Sequence, residues 1–134
     1  MTEHDTPFIV EEWMGASPGG HVILKGRRCR HCDVVLWPPV ARCEACGSAD
    51  LAPAELGPDA ELHSITTDWT GTFLGYPHLV GQVRFPEGTF VQGFVAAPID
   101  GAPAIGAAVR LVPFPVKVQG TELVTYAFEP AGEQ

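Results

Sequence analysis

The sequence has little positive charge. Its 134 residues include 8 Lys and Arg against 16 Asp and Glu, which gives a formal net charge of −8 at pH 7. Proteins that hold a nucleic-acid backbone use basic side chains to displace counterions from the phosphates. The chain as a whole is therefore poorly suited to that role, although most of its basic residues fall within one stretch, residues 22–50.

Long apolar runs are also absent. No stretch approaches the roughly 20 consecutive apolar residues that span a bilayer. The first residues, MTEHDTPF, contain neither the basic nor the apolar segment of a secretory signal. We therefore expect a soluble, cytoplasmic protein.

The common catalytic motifs are missing as well. The sequence contains no G-x-S-x-G, no H-E-x-x-H and no cysteine outside a single cluster. His63 and His78 fall in or beside predicted strands, where surface or hydrogen-bonded structural roles are the usual ones. Glu61 and Asp68 are too far apart on one strand to be assigned as an acid–base pair. The sequence therefore predicts no catalytic residue in this chain.

The cysteines, in contrast, form one dense cluster. The run RCRHCDVVLWPPVARCEACGS contains two Cys-x2-Cys pairs separated by ten residues. Each pair directs two thiolates from one tight turn at a metal, and two pairs complete a tetrahedral shell of four sulfurs. The spacing predicts a structural Zn²⁺ site whose ligands are Cys29, Cys32, Cys43 and Cys46.

Three other interpretations of the cysteines are possible. Disulfides are rare in the reducing cytosol. A redox Cys-x2-Cys pair belongs at a helix start within a βαβ unit, and neither pair has that setting. Iron in a rubredoxin-type site uses the same four sulfurs, usually with a longer spacer. Zinc is the favoured prediction, and iron stays open as an alternative.

The N-terminal residues have a helical pattern. Thr6 is a suitable N-cap, Pro7 suits the first helical position, and Gly15 is a suitable end. The intervening segment FIVEEW repeats its apolar residues at a spacing of four. This pattern predicts a short helix over residues 7–14, followed by a strand over residues 21–28 that leads into the first cysteine pair.

Beyond residue 57 the pattern is that of short strands separated by Gly and Pro signals. Five such strands, with Gly81 and Gly93 inside two of them, predict a small barrel of the OB-fold type. The predicted strands are residues 60–69, 78–85, 89–97, 107–114 and 122–129. We divide the chain into an N-terminal helical segment (1–21), a zinc ribbon (22–57) and an OB-fold (58–134).

This combination resembles a known family. The chain resembles the small zinc-ribbon/OB-fold, acyl-CoA-associated family long called a domain of unknown function. The segments that carry the resemblance are RCRHC, LWPP, RCEACGS, HSITTDW, IGAAVRLV and TYAFEP. The resemblance covers nearly the whole chain. It implies a mainly β protein with an N-terminal helix, a rubredoxin-like zinc ribbon and a five-stranded OB-fold barrel. The family usually has Gly after the first cysteine pair, where this chain has Asp33.

The resemblance also implies a function. Members accompany thiolases and thiolase-like lipid-transfer aldolases, so we expect a non-catalytic accessory subunit of a hetero-oligomeric acyl-CoA enzyme. The partner would carry out thiolase or retro-aldol/Claisen chemistry in lipid, steroid or aromatic-acid degradation. This chain would stabilise the partner and help to bind or channel a CoA thioester. Predicted CoA or partner contacts are Arg28, Arg30, Trp37, Arg42, Phe73, Tyr76 and Arg84.

A single-strand nucleic-acid-binding module is the alternative hypothesis. Zinc ribbons and OB barrels both occur in that role, with aromatic platforms for the bases and basic grooves for the backbone. The predicted barrel strands supply aromatic residues but few basic ones. The charge balance therefore favours the accessory-subunit interpretation.

Overall fold

The computed structural model describes residues 8, 10–17, 19–70 and 74–131. These residues form strands and one short 3-10 turn at Ile99–Gly101. The strands are β1 (Met14–Ser17), β2 (His21–Cys29), β3 (Val35–Leu36), β4 (Leu51–Leu56), β5 (Asp59–Asp68), β6 (His78–Arg84), β7 (Phe90–Val95), β8 (Ala108–Val118) and β9 (Thr121–Pro130). The mainly β prediction is confirmed.

The predicted N-terminal helix is wrong. Residues 1–7 and 9 lie outside the described residues, but residues 11–13 form a turn and β1 follows at once, paired antiparallel with β2. An isolated helix of about eight residues is marginal in water, whereas pairing with β2 buries Met14, which is 2% exposed. Gly19 and Gly20, both at positive φ, allow the tight reversal between the two strands. Tertiary pairing thus overrides the local pattern.

No helix within the described ranges is long and apolar enough to cross a membrane.

The ribbon sheet is built around β2. This strand pairs antiparallel with β1, with β3 and with β4. A Cβ atom at Gly26 would collide with the carbonyl oxygen of Leu36 on β3. Glycine at this position therefore allows β3 to lie close to the part of β2 that leads into the first cysteine pair.

The second half of the chain closes into a barrel with the strand order β5-β6-β7-β9-β8. All of its pairs are antiparallel except the short parallel pair of β7 with β9. The predicted five-stranded barrel is confirmed. Strand β8 runs past its predicted end and includes Pro113 and Pro115. These prolines are tolerated because β5 pairs with β8 only through residues 108–110, so the edge beside them is free of that partner.

Ribbon and barrel share one hydrophobic core. Its fully buried members come from both halves: Met14, Val22, Leu24, Val35 and Leu56 from the ribbon, and Leu62, Val83, Phe85, Val91, Val109, Leu111 and Phe128 from the barrel. The hydroxyl of Thr89 in the barrel half donates to the Val35 carbonyl at 2.8 Å. The division at residue 57 stays a prediction, and the core is continuous across it.

Candidate metal centre and its surroundings

The four cysteine sulfurs converge on one point. All four Sγ atoms lie within 4.8 Å of one another. The Sγ atoms of Cys29 and Cys46 are 3.6 Å apart, and those of Cys32 and Cys43 are also 3.6 Å apart. A tetrahedral Zn²⁺ with Zn–S bonds of about 2.3 Å places its sulfurs about 3.8 Å apart. The donor set and its spacing therefore fit a tetrahedral zinc ion.

Backbone amides point at the sulfurs that the protein buries. The Cys29 Sγ accepts from the N–H groups of His31 and Cys32, each at 3.4 Å, and the Cys43 Sγ accepts from Ala45 N–H at 3.3 Å. Hydrogen bonds, chiefly from the Cys32 amide and then from the His31 amide and the neighbouring thiols, lower the pKa of the Cys29 thiol to about 6 against the opposing effect of burial. These amides favour the thiolate form that a metal requires.

The residue that follows each pair has a left-handed backbone. Asp33 has φ 73° and Gly47 has φ 81°. Asp33 N–H donates to the Cys29 carbonyl and Gly47 N–H donates to the Cys43 carbonyl, both at 2.8 Å. The two Cys-x2-Cys turns, which we call knuckles (residues 29–33 and 43–47), therefore have the same backbone closure.

An arginine precedes each knuckle and contacts the left-handed residue. Arg42 Nη1 donates to the Gly47 carbonyl at 3.0 Å. Arg28 Nη1 lies 3.5 Å from the Asp33 carbonyl and donates to the Asp33 carboxylate at 3.2 Å. Both residues were predicted as CoA or partner contacts. The structure places their guanidinium groups on the knuckles themselves, beside a metal site that would carry net negative charge.

The comparisons with known proteins identify this part of the chain. A family model described as the ChsH2, rubredoxin-like zinc ribbon domain matches residues 23–52. The expected resemblance to the zinc-ribbon/OB-fold family is thereby confirmed. No curated protein matches the chain in sequence.

Two solved structures share the fold of the ribbon with its barrel. One is described as an Ltp2–ChsH2 (DUF35) aldolase; it has a TM-score of 0.64 and 24% identity, over 81% of this chain and 85% of that chain. The other is a DUF35-family protein of unknown function from Sulfolobus solfataricus, with a TM-score of 0.50 and 20% identity, over 75% of this chain and 73% of that chain. The ribbon-plus-barrel arrangement therefore recurs in DUF35 proteins.

Trp37 connects the ribbon to the barrel. Its ring makes edge-on contacts with Trp13 at 5.8 Å and with Tyr126 of β9 at 5.5 Å between ring centroids. The Trp37 Nε1–H donates to the Trp13 carbonyl at 2.9 Å, and the Tyr126 hydroxyl donates to the Gln92 carbonyl at 2.5 Å. Burial raises the pKa of Tyr126 to about 12. The sequence singled out Trp37 but not the two aromatic residues that enclose it.

The other predicted contacts that the structure describes lie on the ribbon and near the two ends of β6. Arg30 lies 3.7 Å from the Asp50 carboxylate at the ribbon, with 62% of its side chain exposed. Arg84 ends β6, whereas Tyr76, which is 53% exposed, lies just before the opposite end of the same strand. Phe73 lies outside the described residues. The assignment of all these residues as contacts stays a prediction.

The sequence analysis missed a polar pair at the start of β6. His78, 7% exposed, has its Nε2 3.5 Å from the Asp68 carboxylate of β5. Asp68 and His78 are register partners in the β5–β6 hairpin. The sequence did contain a signal for this pair. The predicted strands 60–69 and 78–85 place Asp68 near the end of the first strand and His78 at the start of the second, where a hairpin brings them side by side.

Proposed function

We propose that this chain is a non-catalytic accessory subunit of a thiolase-like acyl-CoA enzyme, of the thiolase or retro-aldol/Claisen type. The observation that carries the proposal is the ChsH2-type ribbon built into one core with a five-stranded barrel. The same arrangement occurs in a chain of the Ltp2–ChsH2 aldolase structure. In this proposal the chain stabilises its partner and helps to bind or channel the CoA thioester.

The metal in this proposal is structural zinc. Four thiolates occupy the four positions of a tetrahedral shell and leave none for a substrate or a water molecule. Cys29 and Cys43 are buried, whereas Cys32 and Cys46 are exposed. Zinc held in this way fixes the two knuckles together and contributes to folding.

A catalytic role for the best-buried histidine is disfavoured by its contacts. The Nε2 of His78 faces the Asp68 carboxylate, and its Nδ1 lies 2.9 Å from the Tyr76 carbonyl. A general base needs a free ring nitrogen within hydrogen-bond reach of its substrate. This geometry supports the view that the partner enzyme supplies the reacting groups.

Contact with CoA needs a few basic groups for its phosphates, not a basic surface. Arg28 and Arg42 are engaged with the knuckle backbone. Arg30 and Arg84 are exposed and do not bond the knuckle backbone, and the contact of Arg30 with the Asp50 carboxylate is a long one of 3.7 Å, so these two residues are better placed to reach a ligand or a partner. We propose these two residues as the first to test, with the acyl specificity residing in the partner.

Nucleic-acid binding is less well supported. Phe90 and Trp69 are 45% and 70% exposed in the barrel half, which suits base stacking. Arg110, however, is paired with the Asp59 carboxylate at 3.0 Å, and few other basic residues lie on the barrel strands. Recovery of bound nucleic acid is therefore the alternative outcome of the experiment that follows.

The experiment is recovery of the tagged, zinc-loaded full chain from its native host, with mass spectrometry of what elutes at low and moderate salt. A stoichiometric thiolase-like or lipid-transfer-type enzyme is expected. The Cys43→Ser variant is the matched control: it should lose the zinc and the partner because the ribbon misfolds, and circular dichroism measures how much strand content remains.

Activity measurements complete the test. The isolated chain should show no thiolase, hydratase or hydrolase turnover on acyl-CoA substrates, and the reconstituted complex should be active. Turnover by the purified chain alone would overturn the non-catalytic assignment. Recovery of nucleic acid that dissociates at higher salt, with no enzyme present, would favour the alternative instead.

A further inference from the structure

Strand β8 has one edge that another strand covers only in part. On one side β8 pairs with β9 along its whole length. On the other side β5 pairs with residues 108–110, and the Leu111 N–H then donates to the Pro58 carbonyl at 2.8 Å. Within the part of the chain that the structure describes, no strand pairs with this side of residues 112–118, which we call the open edge of β8. A long open edge on a strand rich in β-branched and aromatic residues is a usual place for another chain to add a strand.

The direction of the backbone shows which residues of β8 face its open edge. In an antiparallel strand the N–H and C=O groups of alternate residues point to the same side. The Leu111 N–H points away from β9, toward Pro58. The residues that face the open edge are therefore Pro113, Pro115 and Lys117, and all three side chains are exposed. Because proline has no N–H, two of these three positions cannot donate to another strand.

Strand β4 of the ribbon repeats this arrangement. Within the described residues it pairs with β2 alone, and the Arg30 N–H continues the ladder by donating to the Asp50 carbonyl at 3.0 Å. Alternate residues face the other edge, and these are Leu51, Pro53 and Glu55. The Leu51 N–H donates to a carbonyl two residues before it, at 3.1 Å, and Pro53 has no N–H. Both open edges thus combine proline with an exposed charged side chain.

The outer side of β9 is different. Strand β7 pairs with β9 through Ala127 and Phe128. The residues of β9 before this pairing, 121–126, contain no proline. Here Phe8 forms a parallel bridge with Val124. Backbone donors are therefore kept at an edge where another segment of the same chain pairs, and are replaced by prolines at the two open edges.

We propose that Pro53, Pro113 and Pro115 prevent the open edges of β4 and β8 from pairing with a second copy of this chain. The strand that they exclude is the same edge of another molecule, because two copies of β8 related by a twofold axis run antiparallel and can pair with each other. Apolar, β-prone residues such as Phe114, which lies between the two prolines of β8, would favour that pairing. This inference goes beyond the proposed function and does not depend on it.

The test restores the missing N–H groups in the zinc-loaded full chain. The Pro113→Thr/Pro115→Thr double variant has β-compatible side chains at both positions. Its molar mass, measured by sedimentation over a wide range of concentration, should rise toward twice that of the wild type at the same concentration. Hydrogen exchange should show that amides within residues 112–118 become protected as the mass rises. Each single variant should associate about tenfold more weakly, since a symmetric pair then lacks two of the restored hydrogen bonds.

Control variants separate edge pairing from general effects of losing a proline. Pro86→Thr is the matched control, because Pro86 is exposed in the turn between β6 and β7, and it should keep the wild-type mass. Zinc content and circular dichroism show whether each variant folds. Pro53→Thr tests the edge of β4 separately, so the inference stays testable if the β8 variant does not fold, and it should also associate. Folded variants that keep the wild-type mass, or association that leaves the restored edge unprotected, would overturn the proposal.

Discussion

The two zinc knuckles are the same local structure built twice from different residues. In each, the residue four positions after the first cysteine adopts a left-handed backbone and donates its N–H to that cysteine's carbonyl. In each, an arginine directly before the first cysteine reaches the carbonyl of the left-handed residue. The repeated run Arg-Cys-x2-Cys therefore specifies backbone closure as well as two metal ligands.

The knuckles differ at the left-handed position. The second uses Gly47, which adopts positive φ without steric cost. The first uses Asp33, whose carboxylate pairs with Arg28 at 3.2 Å. Asp tolerates this conformation better than most residues, and the ion pair offsets part of the remaining strain. A charged side chain with its own partner can therefore stand in the first knuckle where the second knuckle has glycine.

The largest expected effect comes from removing a ligand from either knuckle. Cys43→Ser and Cys46→Ser should both fall well below one zinc per chain, because structural zinc supplies about 10–16 kcal/mol of apparent binding energy in small zinc-finger peptides. Cys43→Ser should also melt lower than Cys46→Ser, since Cys43 is buried and Cys46 exposed. Metal analysis and thermal unfolding measure both. Full zinc content in Cys43→Ser would contradict the four-sulfur assignment.

A smaller effect is expected at the left-handed residues. Gly47→Ala should lower the free energy of unfolding of the zinc-bound protein by about 1–2 kcal/mol, because a Cβ is unfavourable at positive φ. Asp33→Gly should change it by less than about 0.5 kcal/mol, since relief of strain is balanced by loss of the ion pair with Arg28 and by added chain entropy. Denaturant unfolding measures both. A loss of unfolding free energy in Asp33→Gly as large as that in Gly47→Ala would show that strain and ion pair do not balance at Asp33.

The smallest effect is expected at the arginines. Arg28→Ala should cost about 0.5–1 kcal/mol and Arg42→Ala about 0.5 kcal/mol, because exposed ion pairs and hydrogen bonds are weak. A double-mutant cycle of Arg28→Ala with Asp33→Gly isolates the ion pair. The cost of Arg28→Ala should shrink toward that of Arg42→Ala once Asp33 is glycine. A cost that does not change in that background would show that Arg28 acts mainly through the backbone carbonyl.

Features that depend on local spacing could be predicted from the amino-acid sequence. Two thiolates of one Cys-x2-Cys turn point at one metal wherever the turn is placed, so the ligand set follows from the cysteine positions. The five barrel strands were likewise predicted, because short β-prone segments between Gly and Pro signals retain their extended form. Their ends shifted by a few residues, as at β8, where the prolines lie beside a stretch of edge that β5 does not pair.

Features that depend on contacts between distant segments could not be predicted in this way. The local pattern predicted a helix over residues 7–14, yet residues 11–13 form a turn and β1 begins at Met14, because β2 offers backbone partners and a core for Met14. Trp37 meets Trp13 and Tyr126 through the packing of the ribbon on the barrel. The local pattern fixes each pair of cysteine ligands because one Cys-x2-Cys turn is sufficient to bring its two thiolates together. These other contacts form only when the core brings distant segments together, and no single-segment pattern encodes them.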